Sequence, residues 1–285
     1  MKIIKKLLSE DGKTTKFLQE TADNHVIETS YFNLDEHIIC ISTQVGCVMG
    51  CIFCATNNLN GDSVKFVRNL SSEEIIDQVT NILALISDKD LRSKGILFSF
   101  MGMGEPLLNY KNLIQAIKIL SGQFPNSRTT VSTTGIKPEL IRELADEKID
   151  TVLKIHLSLH APTASLRKKI MPKIDGLQSA LKALDYFSKT RNVSAKVNYV
   201  LIENLNDSEE NARQLARLLK RFPFSVKLSK LNQFNGLESS GNDKFKTFEK
   251  ILKAEGIKTC RFASDGPDIK AGCGQLRRHY LRQKP

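Results

Sequence analysis

Three cysteines lie close together in the first fifth of the chain, at Cys47, Cys51 and Cys54. Thiolates are the soft donors that iron–sulfur clusters require, and three of them can hold three irons of a cubane cluster. No fourth cysteine lies nearby in sequence, so one iron would stay open for a substrate or cofactor. A partial zinc site or a set of buried thiols is the alternative, although zinc sites more often show paired C-x2-C units or nearby histidines. The spacing therefore predicts an open [4Fe-4S] cluster.

A second group of candidate site residues follows the apolar runs that predict strands. Each alone could be a routine cap or loop residue, and a lone histidine is more often structural than a ligand. Because the carboxyl ends of parallel strands meet at one edge of a sheet, we expect these residues to share one pocket. Glycine lets backbone approach a ligand closely, and a glutamate can accept from an ammonium group. The members are Gly104 and Glu105 in the Gly102–Pro106 turn, Ser132, Ser158, Leu159, His160 and Asn232.

Apolar runs alternate with helix-like segments along most of the chain, and this pattern favours a parallel sheet with helical crossovers. Strands are predicted at Ile38–Val45, Ile96–Met101, Thr129–Thr133, Val152–Leu159, Ala195–Leu201, Val226–Leu231 and Ile257–Phe262. Helices are predicted at Ser72–Ile86, Tyr110–Leu120, Pro138–Ala145, Leu177–Ser188, Glu209–Lys220 and Lys244–Ala254. Six strand–helix units are too few for a closed eight-fold barrel, so the prediction is an α/β fold with an open, partial (β/α)6 barrel. The cysteines then follow the first strand, at the rim where barrel sites form.

The chain divides into two parts of unequal size. Residues 1–36 predict a small N-terminal β extension, with a hairpin turn at Ala22–His25. Residues 37–285 predict the catalytic partial-barrel domain and its C-terminal segment. Helix starts are predicted at Ser71-x-x-Glu74 and at Ser208, where a short side chain can cap free amides.

The net charge of +11, from 42 Lys and Arg against 31 Asp and Glu, favours a polyanionic partner such as RNA or DNA. A soluble surface rich in lysine is the simpler alternative. No apolar run is long enough for a transmembrane helix, and no signal-peptide pattern opens the chain. We therefore expect no membrane association and a cytoplasmic location, where thiols stay reduced.

A further cysteine, Cys273, lies between two glycines near the C-terminus. An accessible thiol in such a setting is more often a nucleophile than a core residue, and a free surface thiol is the alternative.

The cysteine triplet is similar to the signature of the radical S-adenosylmethionine (SAM) superfamily. The wider pattern resembles the RlmN/Cfr family of radical SAM RNA methyltransferases, from about Asp11 to Tyr280. Its landmarks are Cys40–Cys47, Phe53–Thr56, Arg68–Leu70, Gly102–Pro106, Ser158–Pro162, Ile170–Pro172, Asn206–Ser208 and Cys273–Leu276.

The resemblance implies roles for these residues. The cysteine triplet would hold one [4Fe-4S] cluster, and the strand-end residues named above would bind SAM. Cys273 matches the cysteine that one SAM methylates, and a second SAM would supply the radical that removes a hydrogen from its S-methyl group. Cys40 matches the cysteine that frees the product through a disulfide. Glu28 matches the position assigned as proton acceptor, an exposed strand carboxylate being the alternative, whereas Cys260 matches no family cysteine and is expected to be a packed strand residue.

The resemblance also implies a substrate and partners. It implies methylation of adenosine carbon 2 in ribosomal RNA and also in transfer RNA, with a flavodoxin-type reductant. The Pro106 form of the glycine turn is closer to RlmN than to Cfr, which methylates carbon 8. Family members usually carry an N-terminal helical domain that helps hold RNA, and we expect that domain to be either absent here or supplied by a partner protein. The alternatives are carbon-8 methylation, a radical SAM reaction on a non-ribosomal substrate, and a non-enzymatic RNA-binding cluster protein.

Overall fold

The computed structural model describes residues 1–56, 66–262, 267–269, 272 and 274–283. Its strands are β1 (Lys2–Leu8), β2 (Thr14–Glu20), β3 (Val26–Asn33), β4 (His37–Cys40), β5 (Gln44–Val45), β6 (Arg68–Asn69), β7 (Ile96–Phe100), β8 (Arg128–Thr133), β9 (Val152–Ser158), β10 (Lys196–Leu201), β11 (Ser225–Lys230) and β12 (Thr259–Phe262). Its α-helices are α1 (Ser72–Leu83), α2 (Asp88–Ser93), α3 (Tyr110–Gln123), α4 (Pro138–Asp146), α5 (Ala164–Ile170), α6 (Leu177–Thr190), α7 (Glu209–Leu219), α8 (Asn242–Ala254) and α9 (Gln275–Gln283). Short 3-10 helices cover Pro106–Asn109 and Pro267–Ile269.

Ten strands form one sheet in the order β1-β2-β3-β4-β7-β8-β9-β10-β11-β12. From β4 through β7 to β12 the neighbouring strands are parallel. The crossovers between them carry α1, α3, α4, α6, α7 and α8, which confirms the predicted α/β fold with six strand–helix units. The extension adds β1, β2 and β3 as antiparallel strands beside β4, so it continues the same sheet.

The parallel part of the sheet curves around an interior. One cavity contacts Cys40 on β4 and Phe262 on β12, which are the two ends of the parallel part. In the part of the chain that the structure describes, β4 and β12 do not pair with each other. The barrel is therefore open, as a partial barrel is.

Alternation along β9 shows how the strands present side chains to this interior. Leu153, Ile155 and Leu157 are at most 1% exposed and belong to the main apolar core. His156 and Ser158, on the opposite face, line interior cavities. Because side chains alternate with a period of two, each strand contributes its apolar face to the core and its polar face to the interior.

Both predicted helix starts are present. The Ser71 hydroxyl accepts from Glu74 N at 3.2 Å and the Glu74 carboxylate accepts from Ser71 N at 3.0 Å, which forms a capping box at α1. At α7, the Ser208 hydroxyl accepts from Asn211 N at 3.1 Å. These caps satisfy amide groups that have no partner within the helix.

The first barrel strand is shorter than predicted. β4 ends at Cys40, and Gln44–Val45 pairs with Arg68–Asn69 in a separate small sheet, so the prediction of one strand over Ile38–Val45 is wrong in its extent. The reason is the glycine turn after β7. Ile41 O accepts from Gly102 N at 3.1 Å and Thr43 N donates to Met103 O at 2.8 Å, so the chain after β4 bonds to this turn instead of continuing as a strand.

Three helices were not predicted, namely α2, α5 and α9. In α5 and α9 the buried positions are few. α5 buries Arg167 and Ile170, and α9 buries Leu276 and Arg277, so neither shows a sustained apolar period. The predicted hairpin turn is confirmed by the bond from Thr21 N to His25 O at 2.8 Å, and β1 was not predicted. Among the described residues, none of the helices combines the length and apolar character needed to cross a bilayer.

Candidate functional site

The three clustered cysteines follow β5 in a loop at the carboxyl-terminal rim of the barrel. All three line one cavity of about 270 Å³, with Cys47 and Cys51 buried and Cys54 partly exposed. Ile52 N donates to Ile170 O at 3.0 Å, and Cys54 N donates to Cys51 O at 3.1 Å. The first bond anchors the loop to the end of α5, and the second closes a turn within the loop.

The donor set suits a cluster of several irons. Within the described ranges, no three Cys, His, Asp or Glu side chains lie close enough together to hold one metal ion. In an iron–sulfur cluster each iron takes its own thiolate, so the ligands need only surround a shared space. Burial raises the pKa of the Cys51 thiol, and the neighbouring Cys47 and Glu105 raise it further. A thiolate at Cys51 therefore needs a nearby cation, which iron bound by these cysteines would supply.

The Gly102–Pro106 turn forms another wall of this cavity. Gly104 has φ +103°, and a Cβ there would lie 2.7 Å from Cβ of Gln44. Glu105 N donates to Gln44 Oε1 at 2.9 Å. The turn can therefore pack against the segment before the cysteines only because glycine stands at this position.

Glu105 places a buried carboxylate beside the cysteines. It accepts from Thr133 Oγ1 at 2.5 Å, from N and Oγ1 of Thr134 at 2.8 Å, and from Leu107 N at 3.2 Å. Burial raises the pKa of Glu105, and these hydrogen bonds oppose the shift. The carboxylate is thus held in one orientation, where its charge complements a cation such as an ammonium group.

Most of the predicted strand-end residues meet at the same cavity. Ser132, Ser158, His160 and Asn232 line it together with the cysteines. Leu159 does not line it, because its side chain is 0% exposed and lies in the main core. The alternation of the strand directs the two neighbours of Leu159 inward and Leu159 itself outward.

His160 supports the cysteine loop. Its ring packs edge-on against Phe53 with centroids 4.7 Å apart, and Phe53 lies between two of the cysteines. His160 Nδ1 accepts from Val200 N at 3.1 Å, which requires a neutral ring. Burial lowers the pKa of His160 to about 3, with a smaller contribution from the Arg167 charge. The imidazole is therefore uncharged at neutral pH.

One residue that lines the cavity, Asn198, and one that supports its wall, Arg167, were missed by the sequence reasoning. Asn198 is 8% exposed and lines the cavity, and its Nδ2 donates to Ser132 Oγ at 3.2 Å. Asn198 Oδ1 has no hydrogen-bond partner among the described residues, so a ligand donor would satisfy it. Its polar side chain at an inward position of β10 was the available signal. Arg167, which donates to the carbonyls of Thr134 and Ser158, carries no such local signal.

A second cavity, of about 290 Å³, adjoins the first. Cys40 of β4 and Glu28 of β3 both line it. Lys227, Asn232 and Gly272 line both cavities. The two residues expected to act late in the reaction therefore share a chamber that is contiguous with the cavity of the clustered cysteines.

The C-terminal segment packs against the cysteine loop. Cys273 lies outside the described residues, but its neighbours Gly272 and Gly274 are described. A Cβ on Gly274 would lie 2.3 Å from Thr56 N, two residues after Cys54. Gly274 N also donates to Glu28 Oε2 at 2.7 Å. Glu28 is 3% exposed, so the alternative of an exposed strand carboxylate is wrong.

Residues 41–216 of the chain match the radical SAM superfamily. The chain is 38% identical over 292 residues to a probable dual-specificity RNA methyltransferase RlmN from Thermotoga maritima, in an alignment that covers 100% of this chain and 81% of the relative. A protein of the same name from Clostridium novyi is 38% identical over 289 residues, covering 98% and 80%. Among solved structures, a radical SAM methyltransferase from Sphaerobacter thermophilus has a TM-score of 0.88 and 33% identity, covering 97% of this chain and 81% of that chain.

Proposed function

The chain belongs to the radical SAM superfamily and, within it, to the RlmN family, and on this basis we propose that it methylates carbon 2 of an adenosine in RNA. The observation that carries the proposal is the position of the two glycines that flank Cys273 in sequence. Gly272 lines the cavity of the clustered cysteines, and Gly274 contacts Thr56 just after Cys54. Cys273 is therefore one residue away in sequence from each of these two contacts.

The cofactor cavity has a distinct role for each group of residues. Bound [4Fe-4S] cluster and SAM supply a radical able to remove hydrogen from an unreactive carbon. Cys47, Cys51 and Cys54 hold the cluster, and Glu105 balances the charge of the SAM ammonium group. Gly104, Ser132, Ser158, Leu159, His160 and Asn232 complete the SAM site, Leu159 through its backbone. Asn198, with its unsatisfied Oδ1, joins this set.

The thiol chemistry belongs to Cys273 and Cys40, and two SAM molecules are used in each turnover. Cys273 accepts a methyl group from one SAM, loses a hydrogen atom from that methyl group, and bonds through the resulting carbon to adenine carbon 2. Glu28 would accept the proton that leaves carbon 2. The unpaired electron left on the adduct would pass to a one-electron acceptor, a role that the oxidised iron–sulfur cluster would fill. The Cys40 thiolate then attacks the Cys273 sulfur, so an S–S bond forms and the S–CH2 bond breaks. The released carbon takes the electron pair and a proton to become the methyl group, and an external reductant restores both thiols.

The substrate and partners follow from the family and from charge. The relatives are named as RNA methyltransferases and the net charge of +11 favours a polyanion, and both support RNA as the substrate. The family resemblance implies ribosomal RNA and also transfer RNA. The reaction requires a low-potential electron donor of the flavodoxin type. It takes place in the cytoplasm, where thiols are kept reduced.

The first test is a product analysis. The protein is reconstituted anaerobically with iron and sulfide and supplied with SAM labelled in its methyl group, dithionite and total RNA. The RNA is then digested and its nucleosides are identified by mass spectrometry. Labelled 2-methyladenosine is the expected product. Label in 8-methyladenosine would assign carbon-8 chemistry instead, and 5′-deoxyadenosine formed without label in RNA would mean that the substrate is not RNA.

Two cysteine variants separate radical formation from methyl transfer. Cys273→Ala should retain the cluster and form 5′-deoxyadenosine but transfer no methyl group. Cys260→Ser is the matched control, because Cys260 lies on β12 and has no role in the proposed chemistry. Full RNA methylation by Cys273→Ala would refute the methylated-cysteine mechanism.

A further inference from the structure

A buried ion pair lies beside the C-terminal segment. Lys16 Nζ on β2 is 2.8 Å from Glu28 Oε2 on β3, and their side chains are 1% and 4% exposed. A buried pair is costly to form unless further hydrogen bonds satisfy its remaining polar atoms. The partners that provide those bonds indicate what the pair does.

Both charges bond to the backbone around Cys273. Lys16 Nζ donates to Gly272 O at 2.8 Å. On the other side, Glu28 Oε2 accepts from Gly274 N at 2.7 Å, and Glu28 Oε1 accepts from Arg277 N at 2.5 Å. The pair therefore grips the chain before and after Cys273, at positions more than 240 residues away in sequence from its own.

The carboxylate of Glu28 also caps helix α9 from a distant strand. The first amides of a helix lack internal partners and carry partial positive charge, so an anion at this end is stabilising. Arg277 adds a further bond, from its Nε to Val26 O at 2.5 Å. Leu276 packs in a small apolar cluster with Leu18 and Val26, so α9 is attached by this cluster as well as by these polar contacts.

We propose that the side chains of Lys16 and Glu28 form a clamp. This clamp positions Gly272 and residues 274–277, which lie on either side of Cys273 in the sequence, against the cysteine loop. The proposal rests on the proposed function, because it assumes that Cys273 carries the methyl group. Lys16 acts as a positioning residue, since it contacts the backbone of the segment and the carboxylate that caps α9. Without the clamp, Gly274 would lose its fixed contact with Thr56, and Cys273 would meet the reacting atoms less often.

The clamp also bears on the proton-accepting role of Glu28. The negative charge of the carboxylate faces the Lys16 ammonium group and two backbone amides. A proton taken from adenine carbon 2 would cancel that charge and weaken all three contacts. The segment would then loosen after proton transfer, at the stage when Cys40 must reach the Cys273 sulfur.

Hydrogen exchange on the anaerobically reconstituted protein tests the clamp directly. Lys16→Met removes the charge and keeps the chain length, Lys16→Arg keeps the charge, and Lys13→Met changes an exposed lysine nearby. We expect Lys16→Met to speed amide exchange at residues 274–277 by about tenfold, which corresponds to one charged hydrogen bond. Lys16→Arg should restore slow exchange in part, and Lys13→Met should not change it. Glu28→Gln, which lacks the charge, should resemble Lys16→Met.

The second readout is the number of methyl groups transferred to RNA for each 5′-deoxyadenosine formed. Lys16→Met should lower this ratio by about tenfold while cluster content and SAM cleavage persist, because Lys16 does not belong to the cofactor site and the side chains of that site are unchanged. If Lys16→Met folds poorly because Glu28 is left buried and unpaired, the double variant Lys16→Met, Glu28→Gln removes both charges and should show the same fast exchange.

The exchange rates and the methyl ratio together distinguish the clamp from its positioning role and from the proposed function. Unchanged exchange at residues 274–277 in Lys16→Met and in the double variant would overturn the clamp. Faster exchange with an unchanged methyl ratio would overturn its positioning role. If Lys16→Met speeds exchange but the unaltered protein methylates no RNA, the clamp is supported and the proposed function is contradicted.

Discussion

Gly274 and Thr56 contact each other through their backbones, although more than 200 residues separate them. Gly274 has φ +82°, and a Cβ added there would lie 2.3 Å from Thr56 N and 2.6 Å from the carbonyl carbon of Ala55. No side chain fits in that space, because the neighbouring atoms are backbone atoms of the cysteine loop. The C-terminal segment and the cysteine loop therefore depend on each other for their positions.

Gly274→Ala should separate the two segments. The left-handed conformation alone costs alanine about 1–2 kcal/mol, and the overlap with Thr56 forces a displacement in addition. We expect RNA methylation to be lost while iron content and 5′-deoxyadenosine formation remain, as measured by iron analysis and chromatography. Gly122→Ala is the control, because a Cβ at Gly122 meets no atom within 4 Å. Equal methylation by both variants would contradict the close packing.

Asn206→Ala should destabilise the fold near His160. The Asn206 side chain accepts from Ile202 N at 2.7 Å and donates to His160 O at 2.8 Å and Val200 O at 2.7 Å, and it is fully buried. Its removal leaves these backbone groups without partners, so the free energy of unfolding should fall by about 3 kcal/mol. Denaturant unfolding measures the change. The exposed Asn126→Ala should stay within about 0.5 kcal/mol of the unaltered protein.

Asn198→Ala should weaken SAM binding. Asn198 Oδ1 is buried in the cofactor cavity without a partner among the described residues, and its Nδ2 holds the Ser132 hydroxyl. Loss of one ligand hydrogen bond should raise the dissociation constant for SAM about tenfold. Equilibrium binding to the reconstituted protein measures this, with Asn126→Ala again as the control. An unchanged dissociation constant would remove Asn198 from the SAM site.

Glu105→Gln should abolish two pH dependences, a fall in stability and a rise in SAM affinity as the pH increases. Burial raises the pKa of Glu105 above its ordinary value of 4.5, so the folded state holds this proton more tightly than the unfolded state. The free energy of unfolding of the unaltered protein therefore falls as the pH rises from 4.5 through the raised pKa of Glu105. The variant, which has no titrating group at this position, should show no such fall. SAM affinity should rise over the same interval, because the ionised carboxylate attracts the ammonium group, and the variant should show no such rise. Denaturant midpoints and SAM titrations at several pH values measure both trends.

Local patterns predicted much of this molecule. The alternation of apolar runs with helical segments predicted the seven parallel strands and the six crossover helices, because each element has its own periodicity in the sequence. The Ser71 and Ser208 caps were predicted for a similar reason, since a cap involves residues three apart. Short polar helices such as α9 were missed because burial of two positions leaves no period to detect.

The candidate site was predictable to a smaller degree. Residues at the ends of strands were expected to converge, and Ser132, Ser158, His160 and Asn232 do line one cavity. The buried carbonyl contacts of Arg167 were not foreseen, because they join α5 to the ends of β8 and β9. The side chains that face the cavity depend on where each strand ends, because the alternation of side chains stops there. The end of β4 at Cys40 could not be read from its longer apolar run.

The sequence by itself determined the ligand chemistry and the type of fold. Three closely spaced cysteines and a strand–helix alternation are local properties, and neither needs a distant contact to be read. Only the tertiary structure decided that Lys16 and Glu28 hold the chain on both sides of Cys273, and that Gly274 rests on Thr56. These contacts join segments that are far apart in the chain, so they depend on how the sheet curves and on which strands are neighbours. The curvature of the sheet and the order of its strands arise from the packing of the whole domain, which no single stretch of residues specifies.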